Sequence, residues 1–164
     1  MKKIKLKDID LTNCEIILDK AGRVVDGVNH GRRVLKGDGV YYKIFDRDYC
    51  RRENFVKALE IGFFDDVALG LESVIEDDGE IVGYVMEAGE IIGSEFDNIP
   101  FHFYQQVLSL VNEKKMFFYD LVPINIIKTQ DGDLSLIDLE SVYNIDELYT
   151  ISKHNAVVKP DYYF

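Results

Sequence analysis

The chain has 164 residues, of which 47% are hydrophobic and 12% aromatic, and its 30 Asp and Glu against 19 Lys and Arg give a net charge of −11. That composition supplies a core and excludes a disordered tail or collagen-like rod, and the length suits one domain or two small lobes. The negative balance argues against a nucleic-acid partner, because phosphate binding needs concentrated cation.

The charge is unevenly placed. Residues 1–60 hold fourteen Lys and Arg against ten Asp and Glu, whereas residues 61–164 hold five against twenty. A positive part beside a carboxylate-rich part suits a phosphorylated ligand bridged by a divalent metal; a solvated surface is the plain alternative. Cys14 and Cys50 are too few for a disulfide framework or a Cys-based zinc site. The lysine-rich start lacks an apolar signal region, and no window approaches the ~18 apolar residues of a membrane span. The expectation is a cytoplasmic protein, with host delivery by a route without a cleaved signal left open.

In chain order, residues 15–19, 23–25, 32–36 and 40–45 read as short strands of an antiparallel meander, the last two joined across Gly37-Asp38-Gly39. Asp48 is placed to cap a helix running to about residue 61, with Phe55, Ala58 and Leu59 on one stripe and Gly62 as its stop. Strands follow at 72–77 and 80–87. A second helix begins after Pro100, with Tyr104, Val107, Leu108 and Val111 on one apolar face. Two short strands at about 125–128 and 134–137 flank the turn Gln130-Asp131-Gly132-Asp133, and Asn144 is placed to cap a short helix over 146–153.

Three polar residues sit at the ends of apolar strands: Asp120, Asn125 and Asp138. Burying an unpaired carboxylate there is costly unless a metal or donor offsets it. In phosphoryl transfer one carboxylate orients the attacking hydroxyl, while a second carboxylate and an amide hold magnesium. Tyr119-Asp120-Leu121-Val122-Pro123-Ile124-Asn125 resembles the catalytic loop of the protein-kinase-like superfamily, in which an Asp precedes an Asn by five positions. Leu134-Ser135-Leu136-Ile137-Asp138-Leu139-Glu140 resembles the strand and metal-binding Asp that follow a β-hairpin later.

The resemblance covers roughly residues 20–140. It implies an α+β fold with a five-stranded antiparallel N-lobe over residues 1–89 and a reduced helical C-lobe over 90–164. It implies ATP and Mg2+ as cofactors, with Asp120 as the residue that orients the hydroxyl and Asn125 and Asp138 as metal ligands. Val40-Tyr41-Tyr42-Lys43-Ile44-Phe45 resembles the strand whose Lys contacts the α/β phosphates, which gives that role to Lys43. Its carboxylate partner comes from the next helix, where Glu60 fits better than Glu53, though their seven-residue spacing puts both on a similar face. Val82 to Gly89 resembles the strand entering the hinge, with Met86 as gatekeeper and Glu87, Ala88 and Gly89 as the hinge whose backbone meets the adenine. Gly27 and Gly31 mark the phosphate loop.

The departures are as informative. The loop lacks the three-glycine spacing, which leaves His30, Arg32 or Arg33 as alternative donors. Phe118-Tyr119 replaces His-Arg before the Asp, which implies no phosphorylated activation-loop switch, and Val122 replaces a phosphate-contacting Lys. Asp138-Leu139-Glu140 is closer to aminoglycoside, choline and lipopolysaccharide kinases, with Glu140 either a second metal ligand or a solvent-facing side chain. The 24 residues after Glu140 leave no room for a full C-lobe, so a minimal kinase is expected. Its first-choice acceptor is a Ser or Thr of a protein substrate. The alternatives are a small-molecule kinase, or a nucleotide-binding pseudokinase that works as an interaction module. The closing Tyr162, Tyr163 and Phe164 read as a docked tail or a partner surface.

Overall fold

The computed structural model describes residues 1–95 and 98–146. The helix expected over 146–153, His154 and the closing aromatics lie outside the described residues, although the Asp146 N–H donates to Asn144 Oδ1 at 2.8 Å, as at a capped helix start.

In chain order the elements are β1 (Lys2–Lys5), β2 (Glu15–Asp19), β3 (Val24–Val25), β4 (Val28–Asn29), β5 (Arg32–Lys36) and β6 (Val40–Phe45). Helix α1 (Arg52–Glu60), β7 (Leu71–Asp77), β8 (Glu80–Glu87) and β9 (Glu90–Ile91) follow. Helix α2 (Phe101–Lys114), β10 (Met116–Phe118), β11 (Ile126–Lys128), β12 (Leu134–Leu136) and β13 (Val142–Asn144) complete the described chain. The fold is α+β.

The main sheet runs β1-β7-β8-β6-β5-β2. It has six strands and is mixed, which corrects the expected five-stranded antiparallel sheet: β1 lies parallel to β7, while the other pairings are antiparallel. The Lys-Lys-Ile-Lys sequence hides this edge strand, because only Ile4 is half-buried while Lys3 pairs with Glu76 at 2.6 Å. Charged side chains are a common way to blunt a sheet edge.

Alternation along β6 divides the core. Val40, Tyr42 and Ile44 point to one face, where Leu35, Ile75, Val82 and Val85 pack under Ile4, Leu6, Ile9 and Leu11 of the N-terminal segment. The other face carries Phe45 and Tyr84 against Phe55 and Ala58 of α1. Lys43 opens toward that second face. Gly83 is required beside it, because a Cβ there would sit 2.2 Å from the Lys43 carbonyl oxygen.

Two helix details depart from expectation. Asp48 accepts from Asn29 Nδ2 rather than capping α1, whose first turn has no side-chain cap. The buried stripe of α2 is Phe103, Val107 and Leu110, while Tyr104 and Leu108 are 39% and 40% exposed. Two apolar stripes share Val107, and the one one residue upstream faces the core.

The β11/β12 hairpin hangs from the segment between α1 and β7: Leu136 N–H donates to the Val67 carbonyl at 2.7 Å, and Ser135 Oγ accepts from Gly70 N–H at 2.9 Å. Strand β9 pairs with β11 from the other side. This hairpin carries Asn125 and Asp138 together at its open end, one just before β11 and one shortly after β12.

Candidate active site

The turn after β12 is built on a left-handed residue. Asp138 has φ of 60°, a conformation Asp tolerates better than most residues, and the Ser141 N–H closes the turn on its carbonyl at 2.9 Å. The turn buries Leu139 in the core and directs the carboxylates on either side of it, Asp138 and Glu140, to the same lysine.

Lys43 Nζ donates to Asp138 Oδ1 and lies 2.6 Å from Glu140 Oε1. Glu140 is wholly buried and also takes Arg32 Nη1 at 2.8 Å and the Tyr84 hydroxyl at 2.9 Å. The Tyr84 oxygen in turn accepts the Leu139 N–H at 3.1 Å. Two cations and two carboxylates thus form a neutral, hydrogen-bonded cluster, and among the described residues no buried side-chain polar atom lacks a partner. Full satisfaction is the condition for such a cluster to be tolerated.

The electrostatics follow. Burial pushes the Asp138 carboxyl up, but the charge and hydrogen bond of Lys43, backed by Arg32 and Ser141, outweigh it and hold the group below its ordinary value. Burial and the Glu140 charge both push the Tyr84 phenol up, which keeps it a donor. Burial lowers the Arg32 guanidinium, but Glu140, Tyr49 and Asp138 together outweigh it and raise the group above its ordinary value. For Asp138 the folded value lies below the unfolded one, so the unfolded chain binds the proton first as pH falls. Its stabilising contribution is complete above pH ~4 and is lost as pH falls through the folded value. Unfolding free energy measured by denaturant titration is expected to fall more steeply below pH ~4 in the wild type than in Asp138→Asn; equal slopes would contradict the pairing.

Glu60 does not join this cluster. It is exposed at the last residue of α1, Glu53 is exposed at the first turn, and Lys43 meets Asp138 and Glu140 instead. The reason is local: the helix presents Phe55 and Ala58 to the core, which turns both glutamates outward. Glu140 is the glutamate that pairs with Lys43, where the sequence leaves open either a second metal ligand or a solvent-facing side chain.

Of the glycines of the expected phosphate loop, Gly27 serves a turn and Gly31 a close approach. Asp26-Gly27 form a tight turn with φ of 51° and 77°, so residues 24–29 fold into the small hairpin β3/β4. A Cβ on Gly31 would lie 1.7 Å from Asp46 Oδ2. The Gly31 and Gly22 amides donate to Asn29 Oδ1 and Asp46 Oδ2, so neither contributes to an anion cradle.

Beside the cluster lies an apolar slot of about 250 Å3. Val34, Tyr41 and Met86 line it from the sheet, Ile127 and Ile137 from the hairpin, and Lys43 and Asp138 stand at its polar end. Of the expected hinge residues, Met86 lines the slot. The Glu87 and Ala88 amides donate to the carbonyls of Gly70 and Gly39, and the Glu87 carboxylate takes the Gln130 N–H. Gly89, the last residue of the expected hinge, also lines the slot.

Asp120 is half-buried, and its carboxylate has no ion pair or hydrogen bond among the described residues. Its carbonyl accepts Asn125 Nδ2 at 3.0 Å, and the Asn125 carbonyl accepts Ile137 N–H at 2.8 Å, which ties Asn125 to the residue before Asp138. No three His, Cys, Asp or Glu side chains cluster as a metal cage among the described residues. A carboxylate and an amide oxygen still fit Mg2+, which binds through one or two carboxylates together with water and phosphate oxygens.

No helix of the described residues is long and apolar enough to cross a membrane. No protein-family model matches the chain, and no curated protein matches it. Among solved structures, the crystal structure of monomeric WbdD is similar with a TM-score of 0.40 and 14% sequence identity, over 79% of this chain and 38% of that one, so the chain spans well under half of WbdD's length.

Proposed function

We propose that the chain is an ATP-dependent phosphotransferase that passes the γ-phosphoryl group to an alcohol hydroxyl. One observation carries the reading: Lys43 and Asp138, ninety-five positions apart in the chain, pair at the polar end of an apolar slot. A planar base in the slot leaves its phosphates at Lys43, and Asp138 with Asn125 supplies the oxygens for Mg2+. When bound, the metal neutralises charge on the phosphate oxygens.

Asp120 then orients the acceptor. The hydroxyl oxygen forms a bond to the γ-phosphorus, the bond from that phosphorus to the bridging oxygen breaks, ADP leaves, and the hydroxyl proton passes to the Asp120 carboxylate. Positioning and electrostatics account for such a step without a covalent intermediate on the protein. Glu140 holds Lys43 in place.

The test is incubation with γ-labelled ATP and Mg2+, for wild type and Asp138→Ala. Transfer or hydrolysis in the wild type, reduced about 100-fold or more in the variant, supports the reading. Equal signal in both rejects the metal assignment. If neither turns over ATP, yet ATP raises the melting temperature of the wild type, the chain is a nucleotide-binding interaction module.

A further inference from the structure

A second concave surface meets the site described so far only through Arg32. Arg32 and Val34 share a face of β5, about 6–7 Å apart. Val34 lines the apolar slot, while Arg32 lines another cavity of about 290 Å3 with Lys20, Arg23, His30, Tyr49 and Arg51. The ionic cluster stands between the two, since Arg32 and Lys43 both bind Glu140. No carboxylate lines the second cavity.

In a chain of net charge −11, this gathering of cations is out of character. The side chains of Lys20, Arg23 and His30 have no ion pair or hydrogen bond among the described residues. Arg32 spends one nitrogen on Glu140 and Tyr49, and Arg51 one on Ser141, which leaves each guanidinium further donors. Like charges held in a concavity repel one another and focus a positive potential, a cost that a bound oxyanion removes.

The cavity wall is also connected by contacts to the neighbour of the residue that would orient the acceptor. Arg51 reaches Ser141 Oγ at 3.4 Å, and its guanidinium lies 5.8 Å from the Tyr143 ring centroid. The Ser141 carbonyl accepts the Tyr119 N–H at 2.8 Å, and the Tyr119 and Tyr143 rings meet edge to face at 6.1 Å. Tyr119 precedes Asp120. Two chains of contacts, one through Ser141 and one through Tyr143, therefore link the basic wall to the residue before Asp120.

We propose that this cavity binds a phosphate-type oxyanion carried by the acceptor, so that the substrate is a hydroxyl compound already bearing such a group. The acceptor role rests on the phosphotransfer reading, whereas the anion site itself does not. The other source of the same chemistry is the terminal phosphate of the nucleotide, and the experiment separates them.

Inorganic phosphate is titrated calorimetrically at low ionic strength into the wild type and Lys20→Gln/Arg23→Gln, first alone and then with ADP saturating, and ATP is titrated into both proteins. Both substitutions are at positions outside the catalytic set, and an unchanged melting temperature checks that the variant folds. The proposal expects phosphate to bind the wild type with or without ADP, at least tenfold more weakly to the variant, with equal ATP affinity in the two proteins. Loss of ATP affinity in the variant, with ATP displacing phosphate, assigns the cavity to the nucleotide and overturns the acceptor role. Phosphate binding that is absent, or equal in both proteins, overturns the anion site. Phosphate binding alone without any ATP turnover leaves the anion site standing and counts against the phosphotransfer reading only.

Discussion

Glu140→Ala is expected to lower stability by about 4 kcal/mol, within the 3–5 kcal/mol typical when one partner of a buried ion pair is removed. The carboxylate is wholly buried and joins Lys43, Arg32 and Tyr84, so its loss takes an acceptor from three donors at once; Lys43 keeps Asp138 and Arg32 keeps Tyr49, while the Tyr84 hydroxyl is left without one. A buried hydroxyl deprived of its acceptor adds its own desolvation penalty. For a chain of this length each kcal/mol moves the melting temperature by about 2–4 °C, so calorimetry should record a drop near 10 °C. Glu140→Gln, which keeps an oxygen for Tyr84 and the side-chain volume, should lose distinctly less. A solvent-facing or metal-ligating Glu140 would show almost no loss in the metal-free protein, and that result would remove the lysine-anchoring role.

Lys43→Met is expected to weaken ATP binding about tenfold to a hundredfold while costing less stability than Glu140→Ala. The two effects separate for a structural reason. Glu140 retains Arg32 and Tyr84 when the ammonium is lost, and the Asp138 side chain is 25% exposed and keeps its bond from Ser141. The stability loss is therefore shared among remaining partners. ATP affinity has no such reserve, because the slot is apolar and Lys43 is the cation at its polar end. A hydrogen bond to a charged group contributes about 1.5–3 kcal/mol net, and each 1.4 kcal/mol is tenfold in affinity.

The parts of the site that were legible in the sequence are those carried by short local patterns. A five-residue spacing marked Asp120 and Asn125, an apolar strand marked Asp138, and the likeness of residues 40–45 to a phosphate-contacting strand marked Lys43, which the structure pairs with Asp138. What was not legible depended on contacts distant in the chain. Glu60 and Glu53 both satisfied the sequence pattern, and only the packing of Phe55 and Ala58 decided that neither turns inward. Glu140 was ambiguous because a Glu two residues after Asp138 reads equally well as exposed until the left-handed turn at Asp138 is known.

The fold divided along the same line. Both helices and the hairpins β5/β6, β7/β8 and β11/β12 announced themselves through glycine turns and apolar stripes, whereas residues 23–25, expected as a strand of the main meander, pair instead with β4 in a separate small hairpin. Strand β1 did not, because its pairing with β7 is fixed by a neighbour seventy residues away and its own sequence is mostly lysine. Gly31 misled for a related reason: a glycine within a loop suggests a backbone cradle, while the requirement here comes from the carboxylate of Asp46.

Calorimetric titration of ATP, with and without Mg2+, into the wild type and Lys43→Met tests the central claim most directly. The account predicts 1:1 binding to the wild type that strengthens with Mg2+, and binding at least tenfold weaker in the variant. Equal affinity in the two proteins, or no binding of ATP by the wild type with Mg2+ present, would contradict it.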